Sequence, residues 1–412
     1  MAFLMLIVYF IIVYLRPGEW VPGLIGLQLL DVAMLGATFF LSLRLALTKA
    51  SDLARLPHNR MMLGLFAAIV LSHLANAYVG GAIHAFQMFL VNVLTYFLVV
   101  NIVNSERKVR IILWVLILLT AVLAVQGIQQ AATGTGWAGQ DLVYGRITWI
   151  GIFNDPNDLA LTFIMVIPLL LAYLVSEAFI GFKWIALLLL GVLTYGTFLT
   201  NSRGAMLALM AAVGFFFIKR SRHRLLGGLL GGTAAAAVFL FGPSRMGMIS
   251  ANEESAAGRL DAWYYGFQLL KHNPFFGAGQ DMFTNDYPLT AHNSFVLAFA
   301  ELGLVGFFIW IGLLYTGYRA LSVVQTQRGV LTPYAYGLQA SIIGFCVGAF
   351  FLSRTYILIP YLLVALSGAV SGVVARQTPA LTFRFTKRDW WNIFRICLGV
   401  FILLEIAMKV WR

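Results

Sequence analysis

Three side chains in this 412-residue sequence stand where polar chemistry can meet a lipid phase: Arg203, Arg259 and His292. Arg203 lies in Thr200-Asn201-Ser202-Arg203-Gly204, between two long apolar runs with almost no loop to spare. That spacing puts a guanidinium at or just beneath a membrane surface. A snorkelling anchor is one explanation. A functional cation is the other, since ionisable groups at membrane depth are functional candidates. Arg259 begins an amphipathic stretch in which Leu260, Trp263, Tyr264, Phe267 and Leu270 recur at helical spacing, predicting a helix over 257–271. Trp263 and Tyr264 belong either to an interfacial aromatic belt or to a platform on which a sugar ring stacks. His292, in Ala291-His292-Asn293-Ser294-Phe295, opens the next apolar run. It is either a polar helix start, with Asn293 or Ser294 capping, or an imidazole placed to take a proton near neutral pH. Arg146 is a further candidate anion contact, and Asp155-Pro156-Asn157 reads as a turn and cap.

The set lacks other familiar chemistry. No His/Cys cluster has zinc-ligand spacing. Asp281 and Asp286 are too far apart for a tight metal pair, and no phosphate loop or serine elbow occurs. Arginine forks chelate phosphate oxygens. Arginines, a histidine and aromatics at a membrane surface therefore suit a lipid-linked diphosphate, with no metal and no cofactor expected.

The elements that must position these residues are membrane helices. The chain is 61% apolar and 11% charged, with a mean hydropathy of +0.87. A helical span needs about 20 mostly apolar residues, and about a dozen such runs occur between residues 2 and 409. In hydrocarbon a segment must pair its own backbone groups, so the runs are read as helices. The expected fold is an all-α polytopic membrane protein of about 12 transmembrane helices. It divides into N-terminal spans over 1–242, a long external loop with short helices over 243–290, and C-terminal spans over 291–412. The net charge of +12 does not signal nucleic acid, because the basic residues cluster between helices. Those at 49–60, 107–110, 183, 219–224, 319–328 and 376–388 are assigned to the cytoplasm by the positive-inside bias. The N-terminus is then cytoplasmic, and the connections holding Arg146, Arg203, Arg259 and His292 face outward. The C-terminus is external if 391–409 spans and cytoplasmic if it lies in the interface. Gly227–Gly232 and Ala234–Ala237 read as a small-residue packing face. Cys346 and Cys397 sit inside apolar runs and imply no disulfide framework.

Asn201-Ser202-Arg203-Gly204, Gly258-Arg259-x-x-x-Trp263, Asn273-Pro274-x-x-Gly277-x-Gly279 and His292-Asn293-Ser294-Phe295, followed by Glu301-Leu302-Gly303-Leu304-x-Gly306, resemble the signature of the O-antigen ligase and polymerase superfamily. The resemblance implies a GT-C-like glycosyltransferase of the bacterial inner membrane with its active site facing the periplasm. Its donor would be a glycan on undecaprenyl diphosphate, and its acceptor lipid A-core oligosaccharide. The family's essential arginines would be Arg203 and Arg259, and its essential histidine His292. Arg146, Trp263, Tyr264 and Asn293 would bind substrate. A polymerase or a protein O-oligosaccharyltransferase of the same superfamily is the nearest alternative; one dominant external loop leans toward the ligase. From another class, a lipid-linked glycan transporter would place polar residues near the bilayer midplane, where Asn92, Glu177 and Gln339 are the main candidates.

The orientation is testable. In intact spheroplasts an impermeant thiol reagent should label a cysteine placed at Ser255 and not one placed at Ser221. The reverse pattern would invert the topology and remove the chemistry built on it.

Overall fold

In a computed structural model the described residues are 1–48, 56–177, 179–221, 228–229, 232–233, 254–327 and 329–410. Most of the small-residue stretch at 227–237 and residues 243–253 of the 243–290 loop lie outside them. Fourteen α-helices form among the described residues. They are α1 (Ala2–Leu15), a single turn α2 (Pro17–Trp20), α3 (Leu29–Thr48), α4 (Pro57–Leu74), α5 (Val79–Ile102), α6 (Glu106–Thr133), α7 (Pro156–Leu174), α8 (Ile180–Leu199), α9 (Arg203–Arg220), α10 (Glu254–His272), α11 (Ser294–Val324), α12 (Thr332–Ala349), α13 (Leu358–Gln377) and α14 (Lys387–Val410). No strand forms among the same residues. Six of the helices, α5, α6, α7, α8, α11 and α13, are long and apolar enough to cross a membrane. The chain is a polytopic helical membrane protein. The apolar run beginning at 22 yields its helix only from Leu29, because Gly23 and Gly26 take positive φ and turn the chain first.

The core is organised around α7 and α12. Helix α7 is buried almost all round, as expected of a helix that is apolar on every face. Helix α12 packs along both α7 and α9. Gly337, Ser341, Gly344 and Gly348 recur at three- and four-residue spacing and form the small face that permits this approach. A Cβ on Gly337 would come within 2.8 Å of the Pro168 carbonyl oxygen, and one on Gly344 within 2.9 Å of Ala212. The Ser341 hydroxyl donates to the Met165 carbonyl at 2.6 Å. Asn92 and Gln339 are likewise spent on packing: Asn92 Nδ2 donates to the Tyr356 carbonyl at 2.8 Å, and Gln339 bonds Gln325, Ser322 and the Tyr318 carbonyl. Glu177 sits in the connection between α7 and α8.

Loop contacts sort the helix ends into two groups. At one end Trp149 Nε1 donates to the Tyr14 carbonyl, Asn76 Nδ2 to the Gly277 carbonyl, Arg146 Nε to the Thr200 carbonyl, and the Ser294 hydroxyl to the Leu352 carbonyl. At the other end the Tyr173 hydroxyl donates to the Arg110 carbonyl, Gln377 pairs with Glu106, and Arg319 meets Asp389. The first group holds Arg146, Arg203, Arg259 and His292; the second gathers the basic connections. Helix α14 joins the two. Its first turn is held at the basic end by Tyr315 and Arg319 through Asp389, Phe401 packs on Phe299 and Phe267 farther along, and Glu405, Met408 and Lys409 reach Leu260 and Tyr264. The C-terminal helix thus runs the length of the bundle and ends on the side of His292.

Helix α11 is broken after two turns. Gly303 adopts φ 65°, ψ −170° inside it. The turn at 273–279 docks into the break: Ala278 N donates to the Ala300 carbonyl, Gly279 N to Glu301, Leu304 N to Pro274 and Val305 N to Phe275, at 2.8–3.2 Å. Backbone groups released by the break are thereby paired, as a buried helix requires. Glu301 Oε1 also accepts from Phe283 N at 3.1 Å. A Cβ on Gly303 would collide with the Phe275 carbonyl, and its φ would be strained as well. Gly303→Ala is expected to cost about 1–3 kcal/mol and to lower the apparent Tm of the purified protein. Gly399, with nothing within 4 Å of its added Cβ, is the control: in a helix its replacement by Ala should be neutral or stabilising by up to about 1 kcal/mol. Equal melting of the two variants would show that the break does not depend on glycine.

Candidate functional site

His292 and Arg203 are presented in the same way. Asn201 takes φ 51°, Ser202 caps α9 by accepting from Ala205 N, and Arg203 is the first helical residue. His292 takes φ 49°, and Asn293 caps α11 by accepting from Phe295 N and Val296 N at 2.9 and 3.2 Å. Asparagine tolerates the left-handed region; histidine there costs free energy and persists only where its surroundings enforce it. Here Trp263 Nε1 fixes the preceding residue by donating to the Ala291 carbonyl at 3.0 Å. Both helices aim their N-termini, and hence the positive ends of their dipoles, toward this end of the bundle, an arrangement that favours anions.

The connection 350–355 draws the pieces together. Phe350 meets the Trp263 ring at 5.4 Å and Phe295 at 6.5 Å, and an added Cβ on Gly204 would lie 2.9 Å from that of Phe351. Arg354 N donates to the Ser294 hydroxyl at 2.7 Å, and Thr355 Oγ1 to the Ser294 carbonyl at 2.9 Å. The Arg354 guanidinium pairs with Asp158 and lies 3.7 Å from Asp155. Asp155 also caps α7, accepting from Asn157 N at 2.7 Å. The pairing of Arg354 with Asp158 beside His292 is what the spacing of residues in the chain does not show: the two partners stand 196 positions apart.

Arg259 and Arg354 both act on His292. Its pKa is lowered from the ordinary imidazole value, first by burial and then by the charges of Arg259 and Arg354, with Asp155 opposing. The neutral ring, able to accept a proton, is thus favoured.

The other expected contacts divide. Arg146 spends Nε on the Thr200 carbonyl at 2.6 Å and Nη2 on Asn157 Oδ1 at 2.7 Å, pinning the 143–146 hairpin to the start of α7 and the end of α8. Trp263 is 4% exposed, so its ring offers no open face for a sugar here; it acts as a strut under His292. Tyr264 is half-exposed but lines a separate cavity with Leu260, Glu405, Met408 and Lys409. Asn293 is fully buried, and its Nδ2 has no hydrogen-bond partner among the described residues.

The lowered pKa gives a measurable consequence. Carbethoxylation attributable to His292, taken as the difference between the wild type and His292→Gln, should follow a titration with its midpoint below about 6.5. Arg354→Gln removes a cation and leaves the aspartates, so the midpoint should rise. A midpoint unmoved by Arg354→Gln would disconnect the two residues.

No curated protein matches the chain. Residues 185–311 match the model of the O-antigen ligase family. That segment holds Arg203, Arg259, His292, the docked turn and the break in α11. Arg146, Arg354 and the aspartates lie outside it. Over this segment, under a third of its length, the chain is similar to the O-antigen ligase family.

Proposed function

We propose that the protein is an inverting, metal-independent glycosyltransferase that moves an O-antigen glycan from undecaprenyl diphosphate to lipid A-core oligosaccharide at the periplasmic face of the inner membrane. In this reading about 12 helices span the membrane, and the basic end of the bundle faces the cytoplasm. The observation that carries the reading is the meeting of a neutral-tending imidazole with guanidiniums at one mouth of an apolar bundle. Two lipid-anchored substrates would meet there, the diphosphate of one against the sugar of the other. The family match supports the same class of reaction.

The reaction is a direct displacement. The acceptor hydroxyl oxygen forms a bond to the anomeric carbon as its proton passes to His292. The bond from that carbon to the diphosphate oxygen breaks, and the electron pair leaves with the diphosphate. Negative charge grows on the leaving group, so cations fixed beside it stabilise the transition state more than the ground state. Arg203 and Arg259 take that role, aided by the N-terminus of α9. Attack opposite the leaving group inverts the anomeric centre. The transporter alternative is disfavoured by the packing hydrogen bonds that occupy Asn92 and Gln339.

Turnover of purified variants tests the roles. Lysine supplies a point charge without the guanidinium fork, so Arg203→Lys and Arg259→Lys should each lose about a hundred- to a thousand-fold in rate. His292→Ala and His292→Gln should both lose about a hundred- to ten-thousand-fold while donor binding persists. Near-normal rates in both lysine variants would reduce the arginines to anchors. Full activity of His292→Gln would make His292 a positioning residue.

A further inference from the structure

The basic end of the bundle carries a cavity that the transfer reaction does not use. It has a volume of about 470 Å³ and is lined by Arg319, Arg384, Arg388, Thr386, Phe383 and Val323, among others, with Asp389 in its wall. We propose that this cavity binds the phosphate of an anionic phospholipid headgroup, a role independent of the activity proposed above.

The charge balance is the first argument. Three guanidiniums face one carboxylate, and that carboxylate is already engaged. Asp389 accepts from the Tyr315 hydroxyl at 2.8 Å, from Thr386 N at 2.9 Å and from Thr386 Oγ1 at 2.6 Å, and it lies 3.5 Å from Arg319. Its side chain is 4% exposed. Arg384 and Arg388 are exposed and meet no carboxylate among the described residues. The cavity therefore keeps an uncompensated positive charge in the form of forks suited to phosphate oxygens.

The surroundings favour a lipid over free phosphate. Phe383 and Val323 give the cavity an apolar wall. Trp390 and Trp391, 44% and 52% exposed, stand on the first turn of α14 beside it. Trp390 stacks on Phe394 at 5.9 Å and leans on Phe308 at 5.6 Å. Indoles gather at headgroup depth, so the arginines sit at the level where lipid phosphates lie. A zwitterionic headgroup would bring an ammonium that needs an anion, and the one carboxylate here is buried and satisfied. An anionic headgroup needs none.

Native mass spectrometry of the full-length protein released from detergent tests this, with phosphatidylglycerol and phosphatidylcholine of matched chains. The wild type should retain one phosphatidylglycerol in preference to phosphatidylcholine. The double variant Arg384→Gln/Arg388→Gln should lose about tenfold or more of that retention. Arg395→Gln, an exposed charge on α14 outside the cavity lining, should keep it. Both cavity arginines are exposed, so the double variant should melt as the wild type does. Undiminished retention in the double variant, equal retention of phosphatidylcholine, or loss of the same magnitude in Arg395→Gln would overturn the proposal. Displacement of the lipid by millimolar inorganic phosphate would assign the cavity to free phosphate instead.

Discussion

Four backbone hydrogen bonds between the 273–279 turn and the broken middle of α11 hold the site end of the molecule together. A membrane-embedded helix cannot leave amide groups unpaired. A break in α11 must therefore be filled, and the filling segment is the one that ends α10. Once the turn is seated, α10 lies against the first turns of α11, Trp263 reaches the Ala291 carbonyl, and the charge of Arg259 comes near enough to lower the His292 pKa. The glycines at 277 and 303 are reciprocal: a Cβ on either would strike the backbone of the other segment. The residues of the Asn-Pro-x-x-Gly-x-Gly and Glu-Leu-Gly patterns thus serve construction, while Arg203, Arg259 and His292 are the residues to which the proposal gives the chemistry.

Electrostatics follows from that frame. Two arginines on different elements lean on one imidazole, and the ion pair of Arg354 with Asp158 keeps the second of them in place. Arg259 beside a diphosphate would serve double duty: under the proposed mechanism it would stabilise the leaving group and, with Arg354, favour the neutral form of His292 before the substrate arrives. Binding of an anionic diphosphate would then relax the depression of His292 as the proton transfer begins, because part of the positive field is neutralised.

Local signals were readable in the chain; long-range ones were not. The caps at Asp155 and Asn293, the helix expected over 257–271, which runs from Glu254 to His272, and its end before Asn273-Pro274 follow from propensities acting over a few residues. The alternation of basic and polar connections foretold which loops share an end. Burial of Trp263 was not legible, because an amphipathic spacing does not say whether the apolar face meets lipid or protein; Phe350 decides it. The pairing of Arg354 with Asp158 depends on the fold bringing the starts of α7 and α13 together. The course of α14 was ambiguous because Asp389, Arg395 and Glu405 lower its hydropathy. Packing of Phe401 against α10 and α11 resolves it.

The central claim is a single displacement at the anomeric carbon, with one imidazole base and arginine-held diphosphate. The stereochemistry of the new bond tests it most directly. Purified protein given a lipid-diphosphate donor of known anomeric configuration and a core acceptor should form a linkage of the opposite configuration, read from the anomeric coupling constants of the product by NMR. Retention of configuration would contradict the account, since it requires a glycosyl-enzyme or equivalent second displacement in which His292 is not the base for the attacking hydroxyl alone.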